Sequence, residues 1–452
     1  MRIIIENGRI VDPINGTDKI GCLYIDGGKI SAEFPRESAE RIIDAAERIV
    51  CPGFIDIHMH EDPVLPDGSI YAEEGKSTFS CMLRMGVTTA VAGNCGENEY
   101  HPADYLDLVD EQGTAVNVAM LAGHEFFRKL AGGHDRYAQI SREQTKAAAQ
   151  QMEESLQRGC LGVSYGLRYV PGITKEELFE TAKSCKKYDR LIAAHIRSDA
   201  AEVFDSLDEF LGTVASLGCP VEVSHIGSMA GFGQMRDFLR QVDYYRQLNP
   251  RIGCDCYPYD AFATGIGTAT FDEGWINRYG CDYSVIELAE GEYKGQRCTE
   301  EVFRKVREEF PECIAIAHVM QQDEVDLAYS HEAVCLGSDG SLSRGQGHPR
   351  AAAAFPRFLC RYMRGAGVGV SKAVEILSSR AAERLGLESK GRFSIGADAD
   401  VVIFDPCTVE DKASFEEPNL PPVGIDYVIV NGSIAVEKGR VLNGRAGKSV
   451  RK

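Results

Sequence analysis

The residues best suited to chemistry stand in short groups along the chain: His58-Met59-His60, Asn94-Cys95-Gly96, Ala194-His195-Ile196, Ser224-His225-Ile226 and Ser338-Asp339-Gly340. A strand sends alternate side chains to opposite faces. In Phe54-Ile55-Asp56-Ile57-His58-Met59-His60 this puts Asp56, His58 and His60 on one face and Ile55, Ile57 and Met59 on the other. The apolar face is expected to pack outward on helices and the polar face to line an interior. Two imidazoles so spaced reach one metal ion from the same side. A lone His-x-His is common on surface strands. Its weight comes from the other groups, each of which ends another apolar run, in a chain with only ten histidines.

The middle of the chain alternates strand and helix patterns. Candidate strands are Gly86–Gly93, Ala115–Gly123, Gly159–Tyr165, Leu191–Ile196, Pro220–His225, Arg251–Tyr257, Cys313–Val319 and Ala333–Gly337. Helical patterns such as Arg142–Gln157, Lys175–Tyr188, Ala201–Leu217 and Gln234–Leu248 separate many of them. Repeated strand–helix units predict a parallel (β/α)₈ TIM barrel, with the site at the C-terminal strand ends. With the His58 strand there are nine candidates for eight places. One of Arg251–Tyr257 and Cys313–Val319 lies outside, and the sequence leaves open which; residues 261–312 between them read as an insertion. Both ends of the chain are β-rich, with turn signals at Asp26-Gly27-Gly28 and Asn431-Gly432. The expectation is one small β-sandwich domain from residues 1–51 and 392–452, with the barrel over 52–391.

A formal net charge of −19 argues against nucleic acid and anionic membrane as partners. No apolar run is long enough to span a bilayer. The start lacks the pattern of a signal peptide. The fifteen cysteines are scattered in a chain too long to need a disulfide framework, so mostly buried, reduced thiols and a cytoplasmic location are expected.

The set of motifs resembles the amidohydrolase superfamily, and within it the N-acyl-D-amino-acid deacylases, or D-aminoacylases. The resemblance rests on Gly53–His60, Gly93-Asn94-Cys95-Gly96, Ala194-His195-Ile196-Arg197, Val223-Ser224-His225, Tyr257-Pro258-Tyr259, Gly337-Ser338-Asp339-Gly340, His348-Pro349-Arg350 and the return Gly391–Asp400. It implies one tightly held Zn²⁺ on Cys95, His195 and His225, and a weaker second site using His58, His60 and Asp339, with Cys95 near both. Thiolate and imidazole suit zinc, and three protein ligands leave a place for water. It also implies Asp339 as the general base, and a small-molecule substrate whose carboxylate is held by Arg350 with Arg168 or Tyr165. The products would be a carboxylate and a free D-amino acid. Binuclear relatives such as dihydroorotase and hydantoinase place a carbamylated lysine on the fourth strand. Here that strand reads Gly162-Val163-Ser164-Tyr165-Gly166, and Cys95 is the natural anionic substitute. One departure stands out: D-aminoacylases often follow the sixth-strand histidine with a second His and a Lys, whereas His225 is followed by Ile226-Gly227-Ser228. Arg168 is the candidate for the missing charge. A cyclic-amide hydrolase, and a barrel that binds small molecules without catalysis, are the alternatives. His124, His318 and Cys254-Asp255-Cys256 read as structural, and the oligomeric state is left open.

Overall fold

In the computed structural model, which describes residues 1–452, eight parallel strands follow one another round a barrel. They are Phe54–Asp56 (β1), Val87–Ala92 (β2), Asn117–Gly123 (β3), Gly162–Gly166 (β4), Leu191–His195 (β5), Val221–Val223 (β6), Ile252–Cys256 (β7) and Val334–Leu336 (β8). Each is a short run buried on both faces, as parallel strands covered by helices are. Outward residues such as Val163, Ile192, Val221 and Cys254 join the large core shared with the helices. Inward residues Val91, Ala119, Leu121, Leu191, Ala193 and Cys335 form a separate cluster, filled from the helix Arg380–Leu385 by Ala381, Ala382 and Leu385.

Ile55 and Ile57 belong to that inner cluster. The expected polar-in, apolar-out alternation of the first strand is therefore reversed. The barrel floor needs apolar filling, and Asp56 takes the other face, where its Oδ1 accepts from Ser338 N at 2.9 Å. Regular strand ends at Asp56, and His58 enters the barrel through the turn of the chain that follows. β1 and β8 are then joined not by a regular ladder but by Asp339 N donating to His58 O (2.7 Å) and His60 N to Gly340 O (3.0 Å).

β7 pairs directly with β8, Cys254 opposite Val334 and Cys256 opposite Leu336, so the barrel has no place for a strand between them. Ile314–Ala317 instead pairs antiparallel with Phe262–Gly265 and Ile286–Leu288. The excursion therefore runs past residue 312 and takes this strand with it. Its own core stacks Trp275 on Phe303, ring centres 5.3 Å apart. The two ends of the chain meet where Val401–Phe404 runs antiparallel to Ile49–Pro52, inside a nine-stranded sheet with a core of Ile3, Ile25, Val50, Val401 and Ile429 among others. All fifteen cysteines are free and most are buried, and no helix is long and apolar enough to cross a membrane.

Below the site the floor carries one buried ion pair, Glu222 of β6 with Arg384. Gly253 makes room for it: a Cβ there would lie 1.3 Å from Arg384 Nη1. Arg384→Met leaves a buried carboxylate without a countercharge and should cost about 3–5 kcal/mol of stability in urea unfolding. The double change Glu222→Gln/Arg384→Met removes both charges and should cost less than Arg384→Met alone. An equal or larger loss in the double variant would mean that packing, not charge, is what the pair supplies.

Candidate active site

The reactive side chains all come from the C-terminal ends of strands. His195 is the last residue of β5. Cys95, His225 and Asp339 each lie a few residues beyond β2, β6 and β8, on backbone in the left-handed region, at φ of 56°, 34° and 50°. That region is disfavoured for residues with a Cβ and is frequent at functional sites. Here it turns three side chains over the barrel mouth that strand alternation would carry past it. The approach of the Cys95 segment to β4 is close enough that a Cβ on Gly166 would lie 2.1 Å from Cys95 O.

Cys95 Sγ lies 3.5 Å from His225 Nε2, 3.5 Å from His58 Nε2 and 4.0 Å from His195 Nδ1. These atoms fall into two overlapping groups, Cys95–His195–His225 and His58–His60–Cys95–Asp339, each within 4.8 Å. In a tetrahedral zinc site, S and N ligands stand about 3.5 Å apart, from bond lengths of about 2.3 and 2.0–2.1 Å. The donor set and its spacing therefore fit a zinc ion without rearrangement of the chain. Burial first, then the charges of Asp339, Glu97 and Asp255, push the Cys95 thiol well above its ordinary range. Burial also pulls His58 down to about 3 and His225 to about 4, and holds His195 well below its ordinary range, so the imidazoles are in their neutral, ligating form.

Around these atoms stand side chains that orient them. Asp255, pointing inward from β7, lies with Oδ2 3.2 Å from His58 Nδ1, and its Oδ1 accepts from His225 N at 2.8 Å. Ser228 Oγ lies 2.9 Å from His225 Nδ1. Asp339 Oδ1 is 3.2 Å from His60 Nε2. Its Oδ2 is 2.8 Å from Arg350 Nη2. Burial would raise the Asp339 carboxyl, but Arg350, His60, His225 and His58 together hold it well below the usual carboxylate range. Arg350 is 4% exposed and lies over the Tyr257 ring, with its Nε and Nη1 unpartnered.

Two cavities meet at Asp339. The larger, about 290 Å³, is lined by His60, Tyr169, Thr264, Ser341 and Arg350 among others. The smaller, about 20 Å³, opens beside His195, His225, Ser228, Met229 and Phe262. Thr264 of the excursion lines both, so that segment forms a wall of the site.

Cys95, His195, His225, His58, His60, Asp339 and Arg350 thus converge, and two expected residues do not. Tyr165 points outward from β4, and its hydroxyl meets Thr181 Oγ1 at 2.9 Å. Its inward neighbour is Ser164, which donates to Gly93 O and accepts from Gly96 N. Arg168 is held by Asp199, 3.1 Å away, and lines neither cavity. Asp255, expected to be structural, and Ser228, to which residue type assigns no role, both orient the ligands. In Cys254-Asp255-Cys256 the two thiols face the helices and the carboxylate faces the site, a parity visible once β7 is known to be in the barrel. His124 lies against Glu177, and His318 against Glu287, both away from the convergence.

Models of the amidohydrolase family match residues 49–220 and 323–436. The N-acyl-D-glutamate deacylase of Alcaligenes xylosoxydans xylosoxydans is 31% identical, over 95% of this chain and 92% of that protein. Among solved structures, the N-acyl-D-glutamate deacylase of Bordetella bronchiseptica, complexed with zinc and a phosphonate that mimics the tetrahedral intermediate, superposes with a TM-score of 0.88 at 29% identity, covering 100% and 99% of the two chains. A D-aminoacylase studied for its binuclear metal centre, with one-metal activation and second-metal attenuation, gives a TM-score of 0.88 at 26% identity and the same coverage. With this fold, these strand-end residues and full-length likeness, the chain belongs to the amidohydrolase superfamily and, within it, to the N-acyl-D-amino-acid deacylases.

Proposed function

We propose that this protein is a zinc-dependent amide hydrolase that removes the acyl group from an N-acyl-D-amino acid. The observation that carries the reading is the convergence of three imidazoles on Cys95 Sγ beside the Asp339–Arg350 pair. Cys95, His195 and His225 would hold one ion firmly; His58, His60 and Asp339 offer a weaker second place. Bound zinc supplies Lewis acidity at the scissile carbonyl and acidifies water at this point.

The chain's own groups supply the rest. Asp339, ionised and fixed between His60 and Arg350, takes the proton of the attacking water and returns it to the departing nitrogen, which is too basic to leave unprotonated. Arg350, whose Nε and Nη1 have no partner, would receive the substrate's α-carboxylate through charge-assisted hydrogen bonds. The smaller cavity has room for about one water-sized or methyl-sized group, which suits a short acyl chain such as acetyl. β4 carries no lysine, and its inward Ser164 is bound to the backbone of Gly93 and Gly96, which disfavours the cyclic-amide hydrolases. Screening N-acetyl-D- and N-acetyl-L-amino acids with the zinc-loaded protein tests the reading; turnover of cyclic amides alone would replace it.

Asp339→Asn keeps the shape but cannot carry a proton. Turnover should fall by roughly two to four decades, with bound zinc retained; near-normal turnover would remove Asp339 from this role.

Arg350→Met should depress kcat/KM most for substrates that carry the carboxylate and least for their carboxamides. It should also move the acid limb of the pH–rate profile. Arg350 favours the ionised form of Asp339, so its loss raises that carboxyl's pKa. A base must be deprotonated to act, so activity should fade at a higher pH than in the parent. An acid limb that stays in place, or moves down, would separate Arg350 from Asp339.

Purified protein should carry about one zinc per chain. Asp255→Asn loosens the hold on His58 and on the His225 backbone, and should weaken zinc about 10–100-fold in chelator competition. Unchanged affinity would leave Asp255 a mere filler of the barrel.

A further inference from the structure

The larger cavity has an unusual charge balance. Apart from Asp339 it is lined by four carboxylates, Glu61, Glu97, Glu99 and Glu312, and its only guanidinium is Arg350; no lysine reaches it. Glu61 is occupied, accepting from Gly93 N (2.9 Å) and Asn98 Nδ2 (3.2 Å). Glu97 and Glu99 have no hydrogen-bonding partner, and their side chains and that of Glu312 are open to the cavity. Glu99 is pushed above its ordinary range by desolvation first and then by Glu61 and Glu312, which places the three within one another's field. Arg350, 96% buried, lines the same cavity, and its Nε and Nη1 have no hydrogen-bonding partner.

This inference rests on the deacylase reading of the site. If Arg350 takes the α-carboxylate, the amino-acid half of the substrate lies in the larger cavity, because Arg350 lines that cavity. The side chain branches from the carbon that bears the carboxylate, so it enters the same space. The smaller cavity, about 20 Å³, cannot take it. An acidic side chain would meet the carboxyl groups of Glu97, Glu99 and Glu312, none of them held in an ion pair, and no free guanidinium or ammonium, since Arg168, the other candidate, is already paired with Asp199. A cationic side chain would relieve their repulsion. We infer that the preferred substrates are N-acyl-D-amino acids with a cationic side chain, an ammonium or guanidinium seated among Glu97, Glu99 and Glu312.

The test compares N-acetyl-D-lysine, N-acetyl-D-arginine, N-acetyl-D-norleucine and N-acetyl-D-glutamate on the zinc-loaded full chain, by kcat/KM and by calorimetric Kd. The cationic substrates should exceed norleucine by about tenfold, and glutamate should fall below it by a similar factor. The lysine-to-norleucine ratio should shrink at high salt and in Glu99→Gln/Glu312→Gln. Norleucine turned over as well as lysine, or a preference for glutamate, overturns the inference and leaves the deacylase reading standing. A gain from the amine of glycyl-D-norleucine with none from the lysine side chain overturns it too, by placing the cation in the acyl half. Preferential binding of N-acetyl-D-lysine without turnover of any substrate supports the cation site and overturns the deacylase reading. Neither turnover nor preference overturns both.

Discussion

The site depends on a thiol that must become an anion in a place where the chain alone keeps it neutral. Cys95 is buried, and its surroundings push its proton affinity up while pulling that of the three facing imidazoles down. These are two sides of one condition: electron pairs converge from four side chains, and the only nearby cation, Arg350, is already answered by Asp339. A divalent cation satisfies the whole arrangement at once. Binding must therefore expel the thiol proton, which ties metal affinity to pH and to the integrity of the barrel that holds the ligands.

That tie is built into the backbone. The β1–β8 seam is closed by Asp339 N to His58 O and His60 N to Gly340 O, so the segments that close the barrel are those that carry His58, His60 and Asp339. The left-handed turns at Cys95, His225 and Asp339 are tolerated because neighbouring contacts over-determine them; His225 N, for one, is fixed on Asp255. Beneath lies a layered interior: the apolar cluster of Ile55, Leu121 and Ala193 with the Glu222–Arg384 pair at the floor, then Asp255, then the ligands.

Much of this was legible from residue types. Strand–helix alternation and the groups at strand ends identified the barrel, its active face and the seven residues that converge. What failed did so where a one-residue periodicity was asked to decide orientation. His58 lies inside although its strand's inward face is Ile55 and Ile57, because the chain leaves the strand after Asp56. Tyr165 offers the more reactive side chain, yet it alternates with Ser164, only one of the two can face in, and that one is Ser164. Asp255 was hidden between two cysteines until pairing with Val334 and Leu336 put β7 in the ladder. The same ambiguity left Ile314–Ala317 unplaced, since a short apolar run reads alike in a parallel barrel and in an antiparallel flap.

The contact between Arg350 and Asp339 tunes the carboxylate itself. A guanidinium 2.8 Å from a base weakens that base, since it stabilises the ionised form that must accept the proton. In the role proposed for it, Arg350 must also receive the substrate's carboxylate. An incoming anion shares the guanidinium charge and offsets part of what Asp339 feels, so substrate binding raises the proton affinity of the base at the moment it is needed. In a cavity otherwise lined by carboxylates, an ordered positive charge that serves both ends of the reaction is economical.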